Sequence, residues 1–130
     1  MSTVVYDTSV VIGLSGIDLG SWGEPTPVIS ATTLAELYSG LEQGDAIERA
    51  ERRQRLAVAR STYQILPFGE DEAEGFGLLC NLLREIGRQP RRRALDLQIA
   101  ATAMVHDLPL LTRNAADLAG IERAVKIVAV

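Results

Sequence analysis

The run Thr3-Val4-Val5-Tyr6 stops at Asp7-Thr8-Ser9, and this switch from continuous β-formers to a carboxylate and two hydroxyls constrains the fold more than any other stretch. An uninterrupted apolar run reads as a strand buried on both faces, which belongs in a parallel sheet covered by helices. Open sheets of that kind bind ligands at the carboxyl ends of their strands, and Asp7 falls at such an end. Taken alone, Asp7 also reads as a turn or capping residue, with Ser9 or Thr8 capping a helix over Val10-Val11-Ile12-Gly13-Leu14.

The alternation continues along the chain. After a loop rich in Gly, Ser and Pro from Ser15 to Pro27, the run Pro27-Val28-Ile29-Ser30 predicts a second strand. A helix follows, capped by Ser30 or Thr32 and striped by Leu34, Leu37, Tyr38 and Leu41, with Glu36 nearly opposite Leu34 and off the stripe. Asp45 to Arg60 reads as a solvated helix of interleaved Arg and Glu, with Ile47, Ala50, Leu56 and Ala59 as a thin apolar face. Tyr63-Gln64-Ile65-Leu66-Pro67 predicts a short strand. Glu70-Asp71-Glu72 then opens a helix whose acidic first turn suits the dipole, which carries Phe76, Leu79, Leu83 and Ile86 inward and stops near Gly87. The basic loop Gln89-Pro90-Arg91-Arg92-Arg93 leads into a helix from Ala94 to Met104, and Leu108–Thr112 and Ala124–Val128 predict the last two strands, the second at an edge. Strands alternating with helices imply an α/β fold with a parallel sheet of four or five strands flanked by helices.

Composition narrows the classes that remain. A chain of 130 residues suits one domain, and a 47% apolar, 23% charged composition is ordinary for a globular protein. No run approaches the ~18 apolar residues of a membrane span. Met1-Ser2-Thr3 lacks the basic and apolar parts of a secretory signal, so the expected location is cytoplasmic, with no membrane partner. Cys80 lies in an apolar run and reads as a small core residue. His106 suits a helix C-terminus and has no neighbouring nucleophile. The net charge of −4 argues against wholesale attraction to nucleic acid, yet twelve Arg accompany a single lysine, Lys126, and arginine forks match phosphate geometry.

The helix from Ala94 carries the most informative carboxylate. On a helical projection Asp96 lies between Ile99 and Ala100, on the side of Ala103, within the apolar arc. A carboxylate aimed at packed side chains requires a counter-charge or a metal. Asp7, Glu36, Asp96 and the pair Asn114 and Asp117 can converge above one sheet edge in a right-handed α/β arrangement. Carboxylates crowded together repel, and a divalent cation relieves them; with no Cys or His cluster the donors are all oxygen, which favours Mg²⁺ or Mn²⁺ over zinc. A phosphotransferase with Asp7 as nucleophile would instead want an Asp where Ser9 stands and a suitably placed lysine.

Four blocks of the chain carry a resemblance. Val4-Val5-Tyr6-Asp7-Thr8-Ser9, Ile29-Ser30 through Leu34-Ala35-Glu36-Leu37 with Gly40, Asp96-Leu97-Gln98-Ile99-Ala100-Ala101-Thr102-Ala103, and Leu111-Thr112-Arg113-Asn114-Ala115-Ala116-Asp117-Leu118 resemble, in order, the signature blocks of PIN-domain ribonucleases, especially bacterial VapC toxins. The resemblance implies a single PIN domain over residues 1–130, a three-layer sandwich. It also implies a Mg²⁺-dependent endoribonuclease, with Mn²⁺ as a substitute, that is a homodimer and joins a VapB-like antitoxin in a hetero-oligomer. Asp7 and Asp96 match the principal metal ligands and Glu36 the third acidic position. The fourth is open, because Asn114 stands where many relatives carry Asp and Asp117 lies nearby. Ser9, Thr112 and Asn114 would support these groups, and Arg91, Arg92, Arg93 and Arg113 are the candidates for contacts to the RNA backbone. The alternative is a catalytically silent PIN-fold subunit that only binds a partner.

Overall fold

The computed structural model describes residues 2–14 and 24–130. Five short strands form one parallel sheet: β1 (Thr3–Tyr6), β2 (Thr26–Ser30), β3 (Gln64–Leu66), β4 (Leu110–Thr112) and β5 (Ile127–Ala129), in the spatial order β3-β2-β1-β4-β5. All five predicted strands are present, and the one expected at an edge, β5, lies there. The chain leaves β1 toward β2 and β3, then returns across β1 to place β4 and β5 on the other side. Strand order therefore reverses between β1 and β4, and the carboxyl ends of those two strands flank the crevice where such sheets bind ligands.

Alternation along the strands divides the core in two. Val4, Tyr6, Ile29 and Leu111 face α1 (Thr8–Ile12), α2 (Ala31–Ser39) and α3 (Ala46–Thr62) through Val10, Val11, Leu37 and Ala59. Val5, Val28 and Leu110 face α4 (Glu70–Glu85) and α5 (Ala94–Val105) through Leu79, Leu83, Leu97 and Ala100. The result is the expected sandwich of a sheet between two helical layers. Each fully buried Leu or Ile here contributes about 1.5–3 kcal/mol of transfer free energy. Cys80 packs in the second layer as a buried, unpaired thiol.

Helix α5 is buried nearly all round: Leu97, Ile99, Ala100, Ala101, Thr102 and Ala103 are inaccessible to solvent. It packs most intimately on α4. Gly75 is what allows this, because a Cβ there would stand 2.8 Å from Met104 Cε and 3.6 Å from Ala101 Cβ. Small residues on both helices thus bring their backbones together.

Several local expectations need correction. Helix α1 starts at Thr8 with Asp7 as its N-cap residue, so neither Ser9 nor Thr8 caps it; their hydroxyls are engaged elsewhere. Ser30 does cap α2, accepting Thr33 N at 3.1 Å. On α2 only Leu37 of the predicted stripe is fully buried, and Tyr38 stands exposed with its hydroxyl accepting a bond from Arg60 Nη1 at 3.0 Å. The thin face of α3 is thinner than predicted: Ala59 is buried, whereas Ala50 and Ile47 face solvent, the latter 72% exposed. Phe76, Leu79 and Leu83 of α4 do pack on the core, but Ile86 lies past the last turn and is 56% exposed. The basic loop is a 3-10 turn over Pro90–Arg93. Positions 15–23 of the predicted Gly-rich loop lie outside the described residues, and its end, Thr26 and Pro27, already belongs to β2. No helix among the described residues is long and apolar enough to cross a membrane.

Candidate active site at the reversal of strand order

Asp7 sits at the carboxyl end of the central strand, 5% exposed, with its N–H donating to Leu111 O at 3.0 Å across the β1–β4 boundary. Its own carbonyl starts helix α1 by accepting Val10 N and Val11 N at 2.9 and 3.2 Å. The side chain takes no part in capping. Instead both Ser9 Oγ, at 2.6 Å, and Thr112 Oγ1, at 2.9 Å, donate to a single oxygen, Oδ2. Among the described residues no donor reaches Oδ1. Two hydroxyls thus fix the carboxylate plane and leave one oxygen for something else.

Those hydroxyls are themselves held. Ser9 Oγ accepts Arg113 N at 3.1 Å and Thr112 Oγ1 accepts Asn114 N at 3.0 Å. The segment after β4 is therefore folded back onto the segment after β1 by its own main chain, as required for residues 105 positions apart to share a carboxylate.

The remaining acidic residues approach from other elements. Glu36 projects from α2, and its Oε1 accepts Thr8 Oγ1 at 2.7 Å. Asp96 occupies the first turn of α5, half-buried at the open end of that helix. Its carboxyl is pushed up to about 6, first by burial, then by the charges of Asp7 and Glu36 and more weakly of Asp117, against a lowering pull from Arg93. The helical projection places Asp96 within the packed arc; in the structure it is half-buried and lines a cleft, with burial the first cause of its raised pKa. A charge-crowded carboxyl titrating near neutrality in a cleft is a signature of functional sites.

Asp117 lies on a 3-10 turn over Ala115–Leu118, with Oδ1 3.1 Å from Arg93 Nη2. Asp117 is one of the charges acting on Asp96, whereas Asn114 enters through its main chain, its N–H donating to Thr112 Oγ1 and its carbonyl accepting Asp117 N at 3.0 Å. Asp117 is thus the acidic residue the fold brings near the cleft from this segment. Glu36, Asp96, Arg91, Arg92 and Arg93 line a cleft of ≈ 290 Å³, and Arg92 and Arg93 also border an adjoining basic cavity of ≈ 360 Å³ with Arg88 and Gln89. Arg88 escapes a reading of the sequence. Its guanidinium donates to Ala119 O and Asp117 O, a role invisible without the turn it clamps. Arg113 extends its guanidinium over Gly13 at the end of α1, where a Cβ would collide with Nη1.

The donor set suits a hard divalent cation: every candidate ligand is oxygen, and the repulsion felt by Asp96 is what a cation relieves. Among the described residues no three acidic or histidine side chains stand close enough to chelate a metal as they are placed. Ligation would require the side chains to turn toward one another, and the unengaged Oδ1 of Asp7 is suited to that.

The PIN domain family matches residues 4–123 of the chain. The chain is 36% identical over 121 residues to Ribonuclease VapC4 of Mycobacterium tuberculosis, covering 83% of each protein. It is 31% identical over 122 residues to Ribonuclease VapC of Rickettsia bellii, covering 88% of this chain and 87% of that protein. Among solved structures it is similar to a member of the VapBC family of toxin-antitoxin systems, VapBC-5 from Mycobacterium tuberculosis, with a TM-score of 0.81 and 32% identity over 100% of both chains. With a five-stranded parallel sheet shared in fold and the sequence matched along nearly its whole length, the chain belongs to the PIN-domain family, alongside the proteins named ribonuclease VapC.

Proposed function

We propose that this chain is a divalent-metal-dependent endoribonuclease, acting in the cytoplasm as the toxin of a toxin–antitoxin pair and held inactive by a VapB-like antitoxin. The observation that carries this reading is the gathering of carboxylates at the reversal of strand order, where Glu36 and Asp96 line one cleft and Asp7 is clamped beside it by Ser9 and Thr112. Kinship with proteins named ribonuclease VapC supports the reaction, and likeness to a VapBC complex supports the partner. In this reading residues 1–130 form one catalytic domain that pairs as a homodimer and binds its antitoxin in a hetero-oligomer.

Asp7 and Asp96 would hold Mg²⁺, or Mn²⁺ in its place, with Glu36 and Asp117 at the edge of the same cleft. The cation, when bound, supplies Lewis-acid stabilisation of charge on the phosphate being displaced. Ser9 and Thr112 keep Asp7 Oδ2 occupied, so Oδ1 is the oxygen presented to the site. Glu36 has Oε1 engaged by Thr8, so its other oxygen takes the proton of the attacking water. Arg91, Arg92 and Arg93 flank the carboxylates and neutralise RNA phosphates, and Arg113 extends the positive rim beyond Ser9.

The test is incubation of purified protein with total cellular RNA, with Mg²⁺ or with EDTA, followed by mapping of cleaved ends. Metal-dependent cuts that disappear in Asp7→Asn, a variant whose circular dichroism matches the parent, bear the reading out. Intact RNA at every metal concentration, with an antitoxin still bound, leaves the partner-binding subunit as the function.

A further inference from the structure

We propose that Thr8 is a positioning residue for Glu36, donating to its carboxylate while the buried hydroxyls of Thr33 and Ser30 back it from behind. The inference rests on the reading of Glu36 as a working carboxylate of the cleft and adds to it how that carboxylate is aimed.

The direction of the bond to Glu36 follows from counting protons. Thr8 Oγ1 lies 2.7 Å from Glu36 Oε1 and 3.0 Å from Thr33 Oγ1, and a hydroxyl carries one proton. A carboxylate only accepts, so the proton of Thr8 goes to Glu36. Thr33 Oγ1 accepts Ser30 Oγ at 3.4 Å, and Ser30 Oγ accepts Thr33 N at 3.1 Å, so these two hydroxyls back Thr8 on the side away from Glu36.

Burial gives this arrangement its force. Ser30 and Thr33 are wholly inaccessible and Thr8 is 9% exposed, so the donating hydroxyl is held from a buried side while its bond to Glu36 is part-buried. A hydrogen bond to an ionised carboxylate is roughly twice as strong as a neutral one. Glu36 Oε1 is therefore fixed on the α1 side, and Oε2, which no donor reaches among the described residues, is the oxygen turned to the cleft it shares with Asp96. These hydroxyls also couple β2 and α2 to α1, so Glu36 and Asp7 are referenced to the same helix start: Thr8 immediately follows Asp7.

The experiment compares Thr8→Val, Thr8→Ser and Thr33→Val with the parent by three readouts: Mn²⁺ affinity by isothermal titration calorimetry, kcat for RNA cleavage, and melting temperature without metal. Thr8→Val keeps the side-chain volume and removes the donor; groups that orient metal ligands are worth about 10–100-fold in affinity or activity, and a loss of that size is expected. Thr8→Ser restores most of it. Thr33→Val leaves Thr8 donating to Glu36, so it costs less in Mn²⁺ affinity and kcat than Thr8→Val even though the more deeply buried Thr33 lowers the melting temperature more. Parent-like affinity and kcat in Thr8→Val overturn the proposal, as do losses in the two Val variants that simply track their melting temperatures. A parent protein that binds Mn²⁺ but leaves RNA intact removes the nuclease reading while the titrations still decide the role of Thr8; a parent that binds no Mn²⁺ overturns both.

Discussion

Thr112 Oγ1 donates to Asp7 Oδ2 at 2.9 Å, across the boundary where the sheet reverses its strand order. The same hydroxyl accepts Asn114 N, so it both orients the carboxylate and anchors the turn that bears Asp117. Thr112→Val removes both functions without changing volume. The expected outcome is a loss of about 10–100-fold in Mg²⁺ or Mn²⁺ affinity and in RNA cleavage. Calorimetric titration and a cleavage time course check it, and a parent-like variant would show that Ser9 alone suffices.

Asp96 has a folded-state pKa of about 6, above its ordinary 3.8, so the fold prefers the protonated acid. Ionisation therefore works against the metal-free protein: the penalty is absent below pH ~4, grows as pH rises, and is complete above pH ~6. Asp96→Asn carries no such penalty. Its melting temperature should exceed that of the parent at pH 7 and the difference should vanish near pH 4, as read by differential scanning fluorimetry with EDTA present. Added Mg²⁺ should reverse the order at pH 7, because only the parent keeps the ligand. A difference independent of pH would mean that Asp96 is not the group under strain.

Arg91, Arg92 and Arg93 border the carboxylate cleft, and two of them border the adjoining basic cavity as well. Replacing all three with Gln should weaken single-stranded RNA binding and flatten its salt dependence, by about 0.7 in the log–log slope for each phosphate that is no longer neutralised. Fluorescence anisotropy across a salt series measures both. An unchanged slope would assign the cluster to solvated surface alone, and would leave the fixed Arg88 as the remaining cation of that cavity.

Gly75 lets α4 approach α5, and the first atom a side chain would meet is Met104 Cε at 2.8 Å. Met104 is flexible, so Gly75→Ala should be absorbed with little loss. Gly75→Val adds bulk toward Ala101 and Val105 as well, and should cost about 1–3 kcal/mol in urea unfolding. Equal stability of the two variants would show that the helix pair has room to spare.

The fold is legible where the chain repeats itself. Continuous runs such as Val4-Val5-Tyr6 and Leu110-Leu111 announce doubly covered strands, and helical sequence between them leaves little besides a parallel sheet. Two of the acidic residues are legible by position, Asp7 at a strand end and Asp96 in the first turn of a helix, whereas Glu36 lies within α2 and Asp117 on the turn after β4. Of their supports, Ser9 and Thr112 are legible through the resemblance, whereas Thr8 and Arg88 are not. Thr8 looks like a capping residue because a Thr after a strand-end Asp usually serves that purpose, and only the approach of α2 shows its proton going to Glu36. Arg88 is one arginine among twelve until the turn after β4 places two carbonyls against it. Periodicity misjudges Tyr38 and Ile47 because it records which face is apolar, not whether another element arrives to cover it. On α3 no element among the described residues covers Ile47 and Val58, and both stay exposed.

The place of β1 between β2 and β4 also governs when the acidic cleft is completed during synthesis of the chain. An emerging polypeptide can pair β1 with β2 and β2 with β3 early, but the free edge of β1 waits for residues 110–112, and Asp7 waits with it for Thr112 and the turn beyond. Long-range parallel pairing is slow, because distant segments must meet before any contact rewards them. A nascent chain that stops short of β4 therefore carries every carboxylate up to Asp96 and still lacks the clamp that aligns the first of them. The alignment of Asp7 is therefore completed only near the end of the chain, when β4 takes its place beside β1.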